Sequence, residues 1–224
     1  VIVEPMQGSA GVFVPPKGYL ARLRELCTEH GILLIFDEVI TSFGRLGEWF
    51  SAERFDVEPD LLTFAKGVTS GVVPLGGVLA SDSVYETFMQ GEEHLIEFPH
   101  GYTYSGHPLA CAAGLAAIQA YEKESLLENA RVLEPVLEDA VHSLRGEPHV
   151  IDIRNIGLAA AVQLTPRADQ PTKRALDVFE RCLSEGVMLR YTGDTIAIGP
   201  ALIAKEAEIG SIIEVLRDAL RLVK

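Results

Sequence analysis

Two ionisable residues directly follow short apolar segments, where both could take part in chemistry. Asp37 follows the apolar run 32–36, and Lys66 follows the run 61–65. Such runs are typical of strands buried on both faces of a parallel sheet, and open α/β sheets bind ligands outside the carboxyl ends of their strands. A carboxylate there is costly unless a cationic group meets it. The alternatives are a turn-capping aspartate and a solvated lysine, but four nearby glycines favour a functional lysine: Gly67, Gly71, Gly76 and Gly77.

A third candidate segment runs from residue 94 to residue 107 and contains three histidines: His94, His100 and His107. A metal site is one interpretation, but the spacing is not that of a helical ligand pair, and we predict no metal site. The hydroxyl and backbone groups of residues 103–106, directly before a predicted helix, suit an anion better. Thr103 is therefore the third candidate site residue.

The elements that must position these residues form two different layers. A strand at 1–3, a helix at 19–30 and a strand at 32–36 make a βαβ unit, which predicts a parallel sheet with a right-handed crossover. Further strands are predicted at 61–65 and 76–80, and helices at 109–123 and 125–144. From residue 150 the pattern predicts short antiparallel strands at 150–153, 158–164, 187–190 and 195–198, with helices at 172–185 and 206–222. We place the domain boundary near residue 122, giving domains 1–122 and 123–224.

Composition narrows the class of protein and its compartment. The 224 residues carry a net charge of −13, which disfavours nucleic acid and anionic membranes as partners because no basic patch neutralises phosphates. The three cysteines are far apart in sequence, which predicts reduced thiols in a cytoplasmic protein. No apolar run approaches membrane-spanning length, and the N-terminus has no signal-peptide pattern. The chain opens inside a predicted strand without Met, so we expect it to be the C-terminal part of a longer polypeptide.

The strand-end Asp37, the strand-end Lys66 and Thr103 together resemble the class III pyridoxal-phosphate aminotransferases of fold type I. The resemblance covers essentially the whole chain, and the step of 29 residues from Asp37 to Lys66 fits the family. Its motif residues are Phe36-Asp37-Glu38-Val39-Ile40-Thr41, Phe43-Gly44-Arg45, Lys66-Gly67 and Gly101-Tyr102-Thr103-Tyr104-Ser105-Gly106-His107-Pro108. Within the family the chain is most similar to the omega-amino-acid:pyruvate (β-alanine:pyruvate) aminotransferases. The resemblance implies an α/β fold, with part of the mainly parallel large-domain sheet and a C-terminal α+β small domain.

The resemblance also assigns roles in binding pyridoxal 5′-phosphate. Lys66 is implied to hold the cofactor as a Schiff base and then to move the substrate proton. Asp37 is implied to keep the pyridine nitrogen protonated through a charge-assisted hydrogen bond. Val39 is implied to pack on one face of the ring, and Thr103 to bind the phosphate from the neighbouring subunit of a dimer.

Two departures from the family pattern concern the substrate. Glutamate- and ornithine-type members carry a Glu where Ser9 stands and a partner Arg where Ala197 stands. Both residues of that ion pair are absent together. This is expected, because one charged residue buried without its partner would be costly. Arg190 matches the mobile arginine of pyruvate-dependent members and is expected to bind a substrate carboxylate bidentately. The alternative is a rim arginine paired with Asp194.

The resemblance implies an amine donor and a keto acid as substrates, and a homodimer or dimer of dimers with composite active sites. The second phosphate-binding turn and the aromatic residue on the other ring face are expected in a segment upstream of Val1. Two further functions stay open from the sequence: an aminomutase that shares Asp37 and Lys66, and a non-catalytic fragment that only folds and dimerises.

Overall fold

The computed structural model describes residues 1–101 and 103–223, which form two compact units. The first unit comprises Val1–Pro5, Pro16–Phe43 and Glu48–Glu124. The second comprises Met6–Pro15, Gly44–Gly47 and Ser125–Lys224. Two short early segments therefore belong with the C-terminal unit.

The first unit is built on a four-stranded sheet of order β1-β2-β3-β4. Its strands are β1 (Ile2–Val3), β2 (Ile35–Asp37), β3 (Leu61–Phe64) and β4 (Gly77–Ala80). β1, β2 and β3 are parallel, as predicted, whereas β4 is antiparallel to β3. The predicted strand over 32–36 is wrong at its start, because Ile32 and Leu33 precede β2 and are 43% and 50% exposed.

The helices of this unit are α1 (Tyr19–Glu29), α2 (Ser51–Phe55), α3 (Asp82–Phe88) and α4 (Pro108–Lys123). The apolar face of α1 packs through Leu20 and Cys27 on the strand residues Phe36 and Leu62. The helix α4 begins at Pro108, as expected for a proline in the first turn, and the His107 Nδ1 accepts a hydrogen bond of 3.2 Å from the Leu109 backbone N–H.

The second unit is an antiparallel sheet of order β5-β6-β8-β7 packed with helices. Its elements are α5 (Leu126–His142), β5 (Val150–Ile156), β6 (Ala159–Leu164), α6 (Lys173–Ser184), β7 (Arg190–Thr192), β8 (Thr195–Ile198) and α7 (Glu206–Leu222). Its core is fully buried and aliphatic, with Leu137, Leu158, Val162, Ile196 and Leu216 at 0% exposure. The predicted strand 187–190 is displaced, because only Arg190 of that range pairs with β8 and Met188 is 81% exposed.

Arginine side chains hold the two early segments within the second unit. The Arg45 Nη1 donates to the carbonyls of Leu158 and Pro200 at 2.8 Å each. Residue 157 must be glycine there, because its φ is +54° and a Cβ would lie 2.5 Å from the Arg45 carbonyl oxygen. The Arg154 Nε donates to the Gly11 carbonyl at 2.8 Å.

Within the described residues, no helix combines the length and the apolar character needed to cross a membrane.

Candidate functional site

Asp37 and Lys66 lie at the carboxyl ends of two neighbouring parallel strands. Asp37 is the last residue of β2 and pairs in register with Thr63 of β3. Lys66 follows β3, two residues after its last residue Phe64. Because parallel strands end at the same edge of a sheet, the ladder places the carboxylate and the amine at one edge, where open α/β sheets bind ligands.

Lys66 projects from a backbone in an uncommon conformation. It has φ +47° and begins a short 3₁₀ turn, Lys66–Thr69. A non-glycine residue in this left-handed region is uncommon, and such conformations cluster at functional sites, where the surrounding structure holds them. The side chain is exposed, and Nζ forms no ion pair with the residues that the structure describes.

Asp37 is half-buried, and its carboxylate is partly occupied. Its Oδ1 accepts a hydrogen bond of 3.1 Å from the Val39 backbone N–H. This contact is that of a turn aspartate, but a carboxylate has about four acceptor positions, so Asp37 retains capacity for a cationic or N–H partner. Val39 is half-buried beside it.

The neighbouring Glu38 is a fully buried carboxylate, at 0% exposure. Its Oε2 accepts from the Ser51 backbone N–H at 2.6 Å and from the Thr41 hydroxyl at 3.0 Å. Its Oε1 accepts from the Ala52 backbone N–H at 3.0 Å. Its own backbone N–H donates to the Thr63 carbonyl at 2.9 Å. Burial nevertheless raises the pKa of the Glu38 carboxyl, with the hydrogen bonds from Ser51, Ala52 and Thr41 opposing that rise. Glu38 thus ties the end of β2 to β3 and to the start of α2.

An aromatic cluster packs beside the turn that carries Lys66. The Phe43 ring centroid lies 6.2 Å from that of Trp49, 5.7 Å from Phe50 and 5.8 Å from Phe64. A Cβ added at Gly67 would lie 2.6 Å from the Phe43 Cβ, so this position must be glycine. The cluster therefore fixes the backbone immediately after Lys66.

Thr103 lies in the exposed turn before α4, and Tyr102 of the same motif lies outside the described residues. Of the three histidines, His107 caps α4 and His94 Nε2 lies 3.5 Å from a Glu92 carboxylate oxygen. No group of three or more His, Cys, Asp and Glu side chains suited to a metal ion occurs among residues 1–101 and 103–223.

Arg190 belongs to the second unit and is exposed. It pairs across β7 and β8 with Ala197. The Asp194 Oδ1 accepts a hydrogen bond of 3.0 Å from the Thr172 backbone N–H, and within the described residues Asp194 forms no ion pair with Arg190. Arg190 thus keeps its guanidinium accessible on the surface of its own unit.

A cavity of about 490 Å³ lies at the opposite edge of the first sheet. It is lined by Arg24, Ile32 and Asp60, and the Arg24 guanidinium lies 2.7 Å from the Asp60 carboxylate, which also accepts from the Leu34 backbone N–H. Both charges are thus satisfied within the fold. The cavity contains neither Asp37 nor Lys66, so the strand ends, not the cavity, define the candidate site.

At this end of the sheet Lys66 presents an amine and Asp37 presents a carboxylate to a bound small molecule. The amine can attack a carbonyl carbon, and the carboxylate can hold a proton on a basic nitrogen. Sequence reasoning did not single out Glu38 or the packing role of Phe43. The signal for Glu38 was available, because a second acidic residue directly after a buried strand needs several donors, and Thr41 lies three residues further on.

Comparisons with known proteins identify the family of this chain. The family model described as Aminotransferase class-III matches residues 1–220. An omega-aminotransferase from Caulobacter vibrioides is 54% identical over 220 residues, covering 98% of this chain and 50% of that protein. A beta-alanine–pyruvate aminotransferase from Pseudomonas aeruginosa is 51% identical over 222 residues, covering 98% of this chain and 50% of that protein. The chain thus spans about half the length of the curated relatives it matches.

Solved structures show the same fold. An amine transaminase from an uncultivated Pseudomonas species, in its PLP-bound form, superposes with a TM-score of 0.92 at 38% identity and covers 100% of this chain and 52% of that one. The expected fold, a fold type I arrangement of a mixed sheet with helices, is therefore confirmed. The matched family model, which covers nearly every residue, shows that this chain belongs to the class III aminotransferases.

Proposed function

We propose that the protein catalyses pyridoxal-phosphate-dependent transamination between an omega-amino acid or amine donor and a keto acid, with pyruvate as the acceptor. The observation that carries the proposal is the placement of Asp37 and Lys66 at the carboxyl ends of adjacent parallel strands. Family membership supports the reaction type. The names of the two relatives, an omega-aminotransferase and a beta-alanine–pyruvate aminotransferase, support the substrate class.

The residues present fit pyridoxal phosphate. The cofactor offers an aldehyde carbon, a basic ring nitrogen, two apolar ring faces and a phosphate. Lys66 supplies an amine free of ion pairs within the described residues, and Asp37 supplies a carboxylate with unused acceptor capacity. Val39 supplies an apolar side chain beside Asp37, and Thr103 supplies an exposed hydroxyl. These four side chains match the aldehyde, the ring nitrogen, one ring face and one phosphate contact, whereas the phosphate charge and the second ring face require further groups.

Each side chain then has a defined task. When bound, the cofactor supplies an electron sink for the substrate carbon. Lys66 would hold it through Nζ and, once released by the incoming amine, would accept and return the substrate proton. The Asp37 carboxylate would keep a proton on the ring nitrogen through a charge-assisted hydrogen bond, which also compensates the cost of its own partial burial. Val39 would pack on one face of the ring.

Recognition of the substrate carboxylate is assigned to Arg190. Its guanidinium is exposed and forms no ion pair with Asp194 in the described part of the chain. A planar guanidinium binds a carboxylate through two parallel hydrogen bonds, which suits pyruvate, alanine and β-alanine. Ser9 and Ala197 stand at the positions of the family's alternative Glu–Arg pair and carry no charge.

A homodimer completes the proposal, with Thr103 supplied to the phosphate of the neighbouring subunit. The segment around Thr103 supports this assembly, because it exposes large apolar side chains: Leu95 at 56%, Ile96 at 75%, Phe98 at 55%, Tyr104 at 81% and Leu109 at 63%. Contiguous exposed apolar patches mark interaction sites in soluble proteins.

The test of the proposed function is an amine-loss assay with and without pyruvate. Loss of amine from β-alanine that requires pyruvate, with matching formation of alanine, is the expected result. Migration of an amino group within one substrate in the absence of pyruvate would instead indicate an aminomutase and overturn the proposal.

A further inference from the structure

A phenol from α4 holds the backbone next to Lys66. Tyr121 is only 5% exposed, and its hydroxyl donates to the Gly67 carbonyl oxygen at 3.0 Å. The same carbonyl accepts from the Ser70 backbone N–H at 3.0 Å. Both acceptor positions of the Gly67 carbonyl are therefore used, one within the 3₁₀ turn and one by the helix packed against it.

The hydrogen bond belongs to a short relay. The Ser70 Oγ lies 3.3 Å from the Tyr121 hydroxyl oxygen. Because the single phenolic hydrogen is given to Gly67, Ser70 is the donor in this second contact. Lys66 has φ +47° and Ser70 has φ +52°, so the turn has a residue in the left-handed region at each end. Such conformations persist only where surrounding contacts hold them, and the hydrogen bonds of Tyr121 and Ser70 are contacts of this kind.

Packing closes the other side of the turn. The Tyr121 ring lies 6.1 Å from the Phe43 ring at an interplanar angle of 35°, and Gly67 has no room for a Cβ against Phe43. Gly67 is thus confined by Phe43 and by the hydrogen bond from Tyr121. Lys66 immediately precedes this confined residue.

We propose that Tyr121 is a positioning residue for Lys66, acting through the Gly67 carbonyl to hold the backbone from which the amine projects. The inference rests on the proposed function, since it assumes that Lys66 is the residue that captures pyridoxal phosphate. Tyr121 does not touch the reacting atoms; it restricts the directions in which Nζ points.

The test is Tyr121→Phe, which deletes the hydroxyl and keeps the ring contact with Phe43. Its matched control is Tyr19→Phe at the start of α1, where the side chain is 46% exposed. Loss of one hydrogen bond, about 0.5–1.5 kcal/mol, corresponds to about a 2- to 12-fold change. We expect amide hydrogen exchange at Val68 and Ser70 to accelerate by about that factor in Tyr121→Phe, and not in the control.

A second readout addresses Lys66 itself. The dissociation constant of pyridoxal phosphate for the cofactor-free protein should rise by about the same factor, and the pH midpoint of the absorbance band of the lysine-bound cofactor should shift. Ser70→Ala, which removes only the outer donor of the relay, should show smaller changes in the same direction. A purely structural tyrosine would change the unfolding midpoint and leave the pH midpoint in place.

The outcomes separate the inference from the function on which it rests. If the cofactor is attached to Lys66 in the parent protein and the pH midpoint of Tyr121→Phe matches that of Tyr19→Phe, the positioning role is wrong while the proposed function stands, whatever the exchange rates show. If the parent protein carries the cofactor on another lysine, the proposed function and this inference fail together.

Discussion

The Glu38 carboxylate makes three hydrogen bonds at the end of β2, and replacing it with Gln measures what they contribute. The carboxylate accepts from the backbone N–H groups of Ser51 and Ala52 and from the Thr41 hydroxyl. An amide of the same shape can still accept on one side, from Ser51 and Thr41. Its NH₂ then faces the Ala52 N–H, and a buried donor without an acceptor costs about 1–3 kcal/mol.

The net change includes relief of the buried charge. Burial raises the pKa of the Glu38 carboxyl, so desolvation of the charged form is costly, and an uncharged side chain avoids that cost. We therefore expect Glu38→Gln to lower the free energy of unfolding by about 1–3 kcal/mol in acid, where the parent carries no buried charge, and by less at higher pH. A change of that size is a large share of the roughly 5–15 kcal/mol typical of a domain. Glu29→Gln, an exposed change at the end of α1, is the control and should stay within about 0.5 kcal/mol.

The pH dependence gives a second check on the same group. Below its unfolded-state pKa of about 4.5, Glu38 is protonated in both states. Between that value and its higher folded-state pKa, only the folded state retains the proton, so the stability of the parent falls as pH rises through this window. Gln cannot titrate. The stability difference between parent and Glu38→Gln should thus be greatest in acid and narrow as pH rises past the folded-state pKa.

Guanidinium unfolding followed by fluorescence is the assay, because the chain has one tryptophan, Trp49, which lies in the first unit. A Glu38→Gln variant as stable as Glu29→Gln at every pH would refute the hydrogen-bond account. A difference that widens as pH rises would show that the hydrogen bonds outweigh desolvation and favour the ionised carboxylate.

Three further predictions follow from the proposed function. Asp37→Asn keeps the shape and removes the charge that would hold the ring proton, so transamination should fall by orders of magnitude in a folded protein; a near-normal rate would exclude this role. Arg190→Ala should lower kcat/KM about 10- to 150-fold for substrates that carry a carboxylate, because it removes a charge-assisted bond worth about 1.5–3 kcal/mol. The half-reaction of amines that lack a carboxylate should change little, and equal losses in the two half-reactions would make Arg190 structural. The active species should sediment as a dimer or larger, and an active monomer would contradict the composite site.

The strand ends that carry the chemistry could be predicted from the sequence, because apolar runs bounded by polar residues mark buried strands. The start of β2 could not. Ile32 and Leu33 continue the apolar run but are 43% and 50% exposed, and a continuous run contains no alternation that would mark where hydrogen-bonded pairing begins. The short helices α2 and α3 were missed because five and seven residues give little periodicity.

The surroundings of the candidate site depended on contacts that are distant in sequence. Glu38 is satisfied by Ser51 and Ala52, 13 and 14 residues further along. The hydroxyl of Tyr121 reaches Gly67 across 54 residues. A sequence pattern indicates that Tyr121 lies on a helix, but only the packing of α4 on the Lys66–Thr69 turn determines which backbone group its hydroxyl meets.

The most direct test of the central claim is the identity of the lysine that holds the cofactor. The protein is incubated with pyridoxal phosphate, reduced with borohydride and digested, and the pyridoxyl group is located by peptide mass spectrometry. We expect label on Lys66, and we expect a Lys66→Ala variant that folds, does not turn over and carries no label at this position. Label on any other lysine, or catalysis by Lys66→Ala at a rate near that of the parent, would contradict it.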